Sequence, residues 1–320
     1  MLRPIVFLRN TPSIDFMRWH KAGFGLSILL SVLTVVLFLM NGLNYGIDFS
    51  GGIMIEARST QGPADLAKMR EKLNSLNVGD TSLQGFGSPE DVLIRLGRQP
   101  GGDAAQMAGV EKVKQAFGDK LEYRRVEVVG PKVGEELIRA GVIATVLALI
   151  AIAAYVWFRF EWQFGIAAVA TLVHDAILTV GFFALTQIDF NLTSLAAILT
   201  IIGYSLNDTV VIFDRIREIL RRYKQMPVVD VIDLATNQSL ARTIMTSLTL
   251  ELALLALFFF GGPVVHSFTA AMIWGIFVAT ASSIFIGGPI LIYFNIRARP
   301  EKDNKLAKSD ADKAGTTAGA

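Results

Sequence analysis

Asp208 stands inside a long apolar run, within Gly203-Tyr-Ser-Leu-Asn-Asp-Thr-Val, where Tyr204, Ser205, Asn207 and Thr209 surround it. An ionisable group at hydrocarbon depth is costly and needs a reason. A polar patch of this kind must face other helices or water. The next apolar run begins close to Arg242, which shares a helix face with Thr246 and Thr249 at i, i+4 and i+7. At about 1.5 Å per residue, Asp208 and Arg242 fall at similar depth. Burial favours a neutral carboxyl, and a neighbouring guanidinium favours a charged one. An aspartate whose arginine neighbour approaches and withdraws can therefore take a proton from one side of a membrane and lose it to the other. A static ion pair that only fixes packing is the competing reading. From these residues alone both stand.

Other groups extend the pattern. Asp175, in Val173-His-Asp-Ala, lies in the preceding run and is a candidate for the same path. His174 beside it reads as a packing or interface residue, because neighbours on a helix point about 100° apart. A His-Asp pair without a serine or cysteine partner is weak evidence for hydrolysis. Glu251 sits near the middle of the fifth run, on a face with Thr243 and Ser247. It is either a second proton carrier or a neutral acid donating a hydrogen bond. Asp214 and Arg215 open the stretch Asp-Arg-Ile-Arg-Glu-Ile-Leu-Arg-Arg, with Glu218 and Arg222 spaced as an i, i+4 pair. That stretch is a solvated helix end on one reading, and a partner contact or proton exit on the other.

The elements that must hold these groups are six apolar runs of spanning length: about 23–40, 140–158, 164–185, 192–213, 244–260 and 269–294. The first has no small-residue cleavage site after it and is read as a span, not a cleaved signal. The sixth carries Gly287, Gly288 and Pro289, which predict a tilt or break near its end. Its Ala271, Gly275, Ala279, Ser283 and Gly287, four apart, predict an interhelical face. Lysine and arginine gather before the first run, between the fourth and fifth, and after the sixth. The links 186–191 and 261–267 contain none. This asymmetry puts both termini in the cytoplasm. The expected division is a cytoplasmic segment 1–22, a first span 23–40, an external domain 41–139, five further spans over 140–295, and a polar, disordered cytoplasmic tail 296–320.

Within the insert, Ile53–Arg58 alternates as a strand and Pro63–Leu76 repeats at helical spacing. Asp80–Phe86 and Asp91–Arg98 read as strands about a Gly-Ser-Pro turn, Asp103–Phe117 as a helix, and Leu121–Val129 as a last strand. Strand-helix-strand-strand-helix-strand is the split βαβ pattern of a ferredoxin-like domain. The fold class expected is thus a polytopic α-helical membrane protein with six transmembrane helices and an α+β ferredoxin-like external domain between helices 1 and 2. At its entry stands Tyr45-Gly-Ile-Asp-Phe-Ser-Gly-Gly. Gly46, Gly51 and Gly52 permit a sharp turn out of the first span, or a hinge. Asp48 either caps a turn or receives protons from outside. On the hinge reading, valine at 51 and 52 leaves assembly intact and cuts activity.

Composition narrows the rest. Of 320 residues, 52% are hydrophobic and 18% charged, against about 25% charged in soluble domains. A net charge of +2 argues against a nucleic-acid partner. The absence of cysteine removes thiolate and zinc-thiolate chemistry. No phosphate-cradling loop and no His-Glu-x-x-His occurs. The expectation is no cofactor and no bound metal, with an ion gradient as the energy source.

Taken together, the six spans, the insert after the first, YGIDFSGG at its entry and GYSLNDTVVIFDRIRE in the fourth span resemble the SecF family. IDFMRW, VHDAILTVGFF, FNLTSLAAILTIIGYSLND and SLARTIMTSLT strengthen the likeness, which covers about residues 13–295. The family belongs to the bacterial protein-export machinery and is related to the resistance-nodulation-division transporters. The resemblance implies a SecD-like partner subunit, the SecYEG channel, YajC as a companion, an unfolded preprotein substrate, and a lipid-embedded place in the bacterial inner membrane. It also implies use of the proton-motive force, with Asp208 as the transmembrane proton carrier and Arg242 as its pair. Two rivals remain: a proton-coupled exporter of small molecules or lipids, and a purely structural translocon subunit.

Overall fold

The computed structural model describes residues 12–294 and 296, apart from Phe86. The basic residues expected at 1–11 and the polar tail from 297 lie outside the described residues, as does Phe86 at the end of the expected second strand. In chain order the elements are α1 (His20–Asn41), a one-turn α2 (Ile47–Ser50), β1 (Gly52–Ser59), α3 (Leu66–Ser75), β2 (Thr81–Gly85), β3 (Asp91–Leu96), α4 (Asp103–Phe117) and β4 (Leu121–Val129). There follow α5 (Pro131–Arg159), α6 (Trp162–Thr186), α7 (Leu192–Arg222), α8 (Val228–Phe260) and α9 (Pro263–Ser282). A π-helical turn, Ser283–Gly287, leads from α9 into α10 (Gly288–Tyr293).

Six helical stretches among the described residues are long and apolar enough to cross a membrane. They coincide with the six expected runs, but several overrun them. α5 starts at Pro131, well ahead of its apolar stretch, because proline is pre-set for a first helical position. α7 continues to Arg222 and α8 begins at Val228, so the basic link between them is mostly helix. The reason is packing. Beyond the apolar run of α7, Ile216 and Ile219 remain fully buried and meet Val231, Ile232 and Ala235 of α8. The break expected near Pro289 takes the form of the π turn, which re-sets the ladder where proline has no N–H to give.

α6, α7 and α9 form the buried middle of the bundle. Ala167, Ala168, Ala197, Ile201, Ala271 and Ile276 there are 0% exposed. Every predicted member of the small-residue stripe on the sixth span is buried between helices. By contrast α1, α5 and α8 turn Leu29, Leu39, Leu147, Ile150, Leu252 and Phe260 outward. Such an outside suits lipid, which solvates apolar side chains as well as a core does.

The α+β domain is a four-stranded antiparallel sheet in the order β2-β3-β1-β4, the arrangement expected of a split βαβ fold. Alternation decides its faces. Ile53, Ile55 and Ala57 point to the helices and join Leu73, Val92, Ile94, Val110, Val113 and Phe117 in one core. Met54, Glu56 and Arg95 lie on the opposite face, which looks toward the ends of the bundle. α3 begins at Leu66 and not at Pro63, because Asp65 caps it by accepting from the Lys68 amide. Asp91 ties the β1–β3 edge: Arg58 Nε and Nη2 donate to its two oxygens at 2.7 and 2.8 Å, and Ser88 Oγ adds a third bond. The Arg58 guanidinium holds its carboxyl down at about 2.

The glycine-rich junction is tight. The Gly46 amide donates to Phe190 O at 2.8 Å, and Phe190 N returns a bond to Asn44 O. Phe49 stacks on Phe190 with centroids 5.6 Å apart. Gly51 and Gly52 have φ of 71° and 127°, and a Cβ on Gly52 would stand 2.6 Å from the Leu96 carbonyl oxygen. Valine at this position would disturb the β1–β3 pairing, so the expectation that assembly survives it does not fit this geometry. Asp48 takes the capping option of the two foreseen: its Oδ2 accepts from the Leu192 amide at the start of α7.

Candidate functional site

The buried side of α7 carries Tyr204, Ser205, Asp208 and Thr209, at spacings that keep them on one face. Asp208 is 5% exposed. Its Oδ1 accepts from Thr243 Oγ1 of α8 at 2.6 Å. Its Oδ2 is buried and has no hydrogen-bond partner among the described residues. Buried polar atoms in folded proteins are usually hydrogen-bonded. Next to it, Thr209 Oγ1 meets Ser283 Oγ at 3.0 Å, at the first residue of the π turn.

One turn back, Ser205 Oγ donates to Asp175 Oδ2 of α6 at 2.5 Å. Ser282 Oγ of α9 donates to the same oxygen at 2.9 Å. Asp175 is fully buried, and His174 Nδ1 lies 3.0 Å from its Oδ1. The two neighbours thus meet, although their Cβ vectors diverge. His174 Nε2 is buried and has no hydrogen-bond partner among the described residues. No hydroxyl bonds the imidazole; both serines bond the carboxylate. The geometry of an activated nucleophile is not formed here. A third set, Tyr204 OH, Ser247 Oγ and Thr280 Oγ1, runs at 2.8 Å per step across α7, α8 and α9.

The four helices α6 to α9 therefore enclose two carboxylates set among hydroxyls that can both give and accept a proton. Several predicted residues are not brought in. Arg242 is exposed and forms no ion pair with Asp208 within 4 Å; Thr243, one residue on, takes the place facing α7. Arg242, Thr246 and Thr249 do share a face, but it is the outer face of α8. Asn207 also points outward, being about 100° from Asp208. Glu251 is half-buried and forms no hydrogen bond among the described residues. Asp214 is exposed and pairs with Arg159 of α5 at 3.0 Å. Arg215 Nε donates to Gln238 at 2.6 Å and also takes Glu218, while Arg222 stacks over Tyr223. The expected Glu218–Arg222 pair is thus replaced by an i, i+3 pair. Thr243, Thr280 and Ser282 escaped the sequence reading as site members. Their only signal is a hydroxyl inside an apolar run.

Residues 109–297 match the family described as Protein export membrane protein SecD/SecF, C-terminal, and residues 36–63 match the SecD/SecF GG motif. The chain is 46% identical over 295 residues to the protein translocase subunit SecF of Rickettsia felis, covering 91% of this chain and 95% of that one. It is 46% identical over 297 residues to the protein translocase subunit SecDF of Brucella abortus, covering 93% of this chain and 39% of the relative. The crystal structure of SecDF from Thermus thermophilus, a translocon-associated membrane protein, superposes with a TM-score of 0.80 at 33% identity. That match covers 92% of this chain and 40% of the other.

Proposed function

This chain belongs to the SecF family of protein translocase subunits, and from that premise we propose that it turns a transmembrane proton gradient into work on an exported polypeptide. It is a multi-pass membrane protein, and relatives that carry SecD and SecF in one chain support a SecD partner. The carrying observation is Asp208: a buried carboxylate with one oxygen held by Thr243 and the other unpaired, among hydroxyls of four helices. In this reading Asp208 takes a proton from the outer side and releases it inward. Asp175 is the second carboxylate of the path, and Ser205, Thr209, Ser247 and Thr280 are its hydroxyl steps. Each charge moved is worth about 2.3 kcal/mol per 100 mV, and each pH unit adds about 1.4 kcal/mol.

Arg242, on the outer face of α8, completes the site where a second subunit packs. Gly203 and Asn207 on α7 and Arg242, Thr246 and Thr249 on α8 turn outward at spanning depth. Thr246 and Thr249 bond carbonyls of their own helix, but Asn207 and Arg242 need a protein neighbour at that depth, which a SecD-like subunit supplies. Repacking against it swings the guanidinium toward Asp208 or away. The placement proposed is the bacterial inner membrane, with both termini cytoplasmic and the α+β domain outside. There it works beside the SecYEG channel and YajC on an unfolded preprotein. Gradient-driven translocation into inverted membrane vesicles tests the reading. Asp208→Asn, which keeps shape and loses the ionisable group, should remove gradient stimulation while the chain still co-purifies with its SecD-like subunit. Full stimulation in that variant would leave only a scaffold role.

A further inference from the structure

The α+β domain joins the bundle covalently through α1 and α5, and neither helix has a carboxylate or basic side chain in its apolar stretch. Asp175 and Asp208 belong to α6 and α7. A change at those carboxylates therefore has no direct covalent route to the sheet. One polar contact joins a strand of the sheet to the connection between these two helices. Arg95, on β3 inside the sheet, projects from the helix-free face and donates from Nη1 to Asp189 Oδ1 at 2.7 Å; its Nη2 bonds Asp189 Oδ2. Asp189 lies in the short connection between α6 and α7.

Both ends of this contact are fixed. Asp189 Oδ1 also accepts from Asn44 Nδ2 at 2.9 Å, and the Asp189 carbonyl accepts from Ser194 Oγ at 3.0 Å within the first turn of α7. Arg95 sits in paired register with Met54 on one side and Ser82 on the other. The two side chains are only 18% and 22% exposed. Around them lies a cavity of about 270 Å³ between sheet and helix ends, lined also by Glu56, Arg125, Glu127 and Asp48. Those charges are engaged elsewhere: Arg125 pairs with Glu127 along β4, and Asp48 caps α7. Asp48 and Gly46, just ahead of β1, also bond the Leu192 amide and the Phe190 carbonyl, but among the described residues the Arg95–Asp189 pair is the hydrogen-bonded link that reaches the α6–α7 connection from a strand of the sheet itself. A bidentate guanidinium–carboxylate fork fixes orientation as well as distance.

We infer that Arg95 and Asp189 form a coupling strut, a positioning pair that carries movement of the α6–α7 connection into the α+β domain. The inference rests on the proton-driven reading, since it assigns how motion at the carboxylates reaches the α+β domain. The pair stays closed through the cycle, so the sheet rides with α6 and α7.

The chain has no cysteine, so introduced thiols are its only ones. In Arg95→Cys/Asp189→Cys the strut is absent, and a short bis-thiol crosslinker bridging the two side chains restores a mechanical tie. Gradient-stimulated translocation is the readout, with co-purification of the SecD-like subunit as the measure of folding. The unbridged double variant and the milder Arg95→Gln should both lose the gradient-stimulated component and keep the gradient-independent one. Bridging should recover stimulation, which a merely structural role in folding would not do. Full stimulation in Arg95→Gln overturns the strut, as does a bridged protein that stays unstimulated. Asp208→Asn measured alongside separates the two ideas. If it loses stimulation while Arg95→Gln keeps it, the strut fails and the proton reading survives; if it keeps stimulation, the proton reading itself fails.

Discussion

Gly275 sets how closely α9 approaches α7, and replacing it with alanine should force the two helices apart. A Cβ built there lies 2.2 Å from Ile201 Cδ1, 2.5 Å from Cγ1 and 3.0 Å from Cγ2, where ordinary contact begins at 3.4 Å. Ile201 is 0% exposed and β-branched, and the clash involves both of its branches, so a change of rotamer cannot clear it. The helices must separate by about 1 Å, or the isoleucine must leave its well, at a cost of about 1–3 kcal/mol. The partner change decides whether this reasoning holds. Ile201→Ala alone should cost about 2–5 kcal/mol through the cavity it leaves. Combined with Gly275→Ala it should cost less than the sum, with a coupling of about 0.5–3 kcal/mol. Unfolding of the purified chain in mild detergent, by denaturant midpoint, measures all three. Separation should also reach the site, because α7 and α9 present Thr209 and Ser283 to each other. A Gly275→Ala protein as stable as the parent, or strict additivity in the double variant, would refute the idea that these helices meet at this glycine.

Two further outcomes follow from the α+β domain. Asp91 has its carboxyl lowered to about 2 by Arg58, below the usual carboxylate value of about 3.9. A group lowered on folding adds stability that is present above its unfolded value and lost as pH falls toward 2. Arg58→Met should weaken this pH dependence, leaving the smaller share due to Ser88 and Arg124, so amide exchange in β1 and β3, corrected for intrinsic rates, should rise less between about pH 5 and pH 2. Gly52→Ala places a Cβ 2.6 Å from the Leu96 carbonyl oxygen at a φ of 127°. It should cost about 1–3 kcal/mol and loosen the β1–β3 ladder first, read as faster exchange at Ile53 and Leu96 while α6 and α9 stay protected.

Much of the architecture was legible because it depends on short-range patterns. Runs of apolar residues mark spans whatever surrounds them, since a lipid-crossing helix must satisfy its own backbone. Strand alternation in Ile53–Arg58 and helical spacing in Asp103–Phe117 placed those elements close to where the structure has them. The overrun of α7 and α8 was less visible: Ile216 and Val231 stay buried only because the other helix is there to cover them. For the site, Asp208 and Asp175 stood out because a carboxylate in an apolar run is conspicuous on cost alone. Arg242 forms no ion pair with Asp208 in this structure, because similar depth along two helices does not fix how far each is rotated about its axis.

What the amino-acid order alone determined, then, is which segments cross, which face of each is small or apolar, and which carboxylates sit among them. Tertiary structure decided the partners. Ser282 reaches Asp175 from 107 residues away and Arg95 reaches Asp189 from 94. Such meetings depend on how far each helix turns and how near its neighbour comes. Those two quantities are set by side-chain volumes such as Ile201 against Gly275, which belong to the packed whole and to no local stretch.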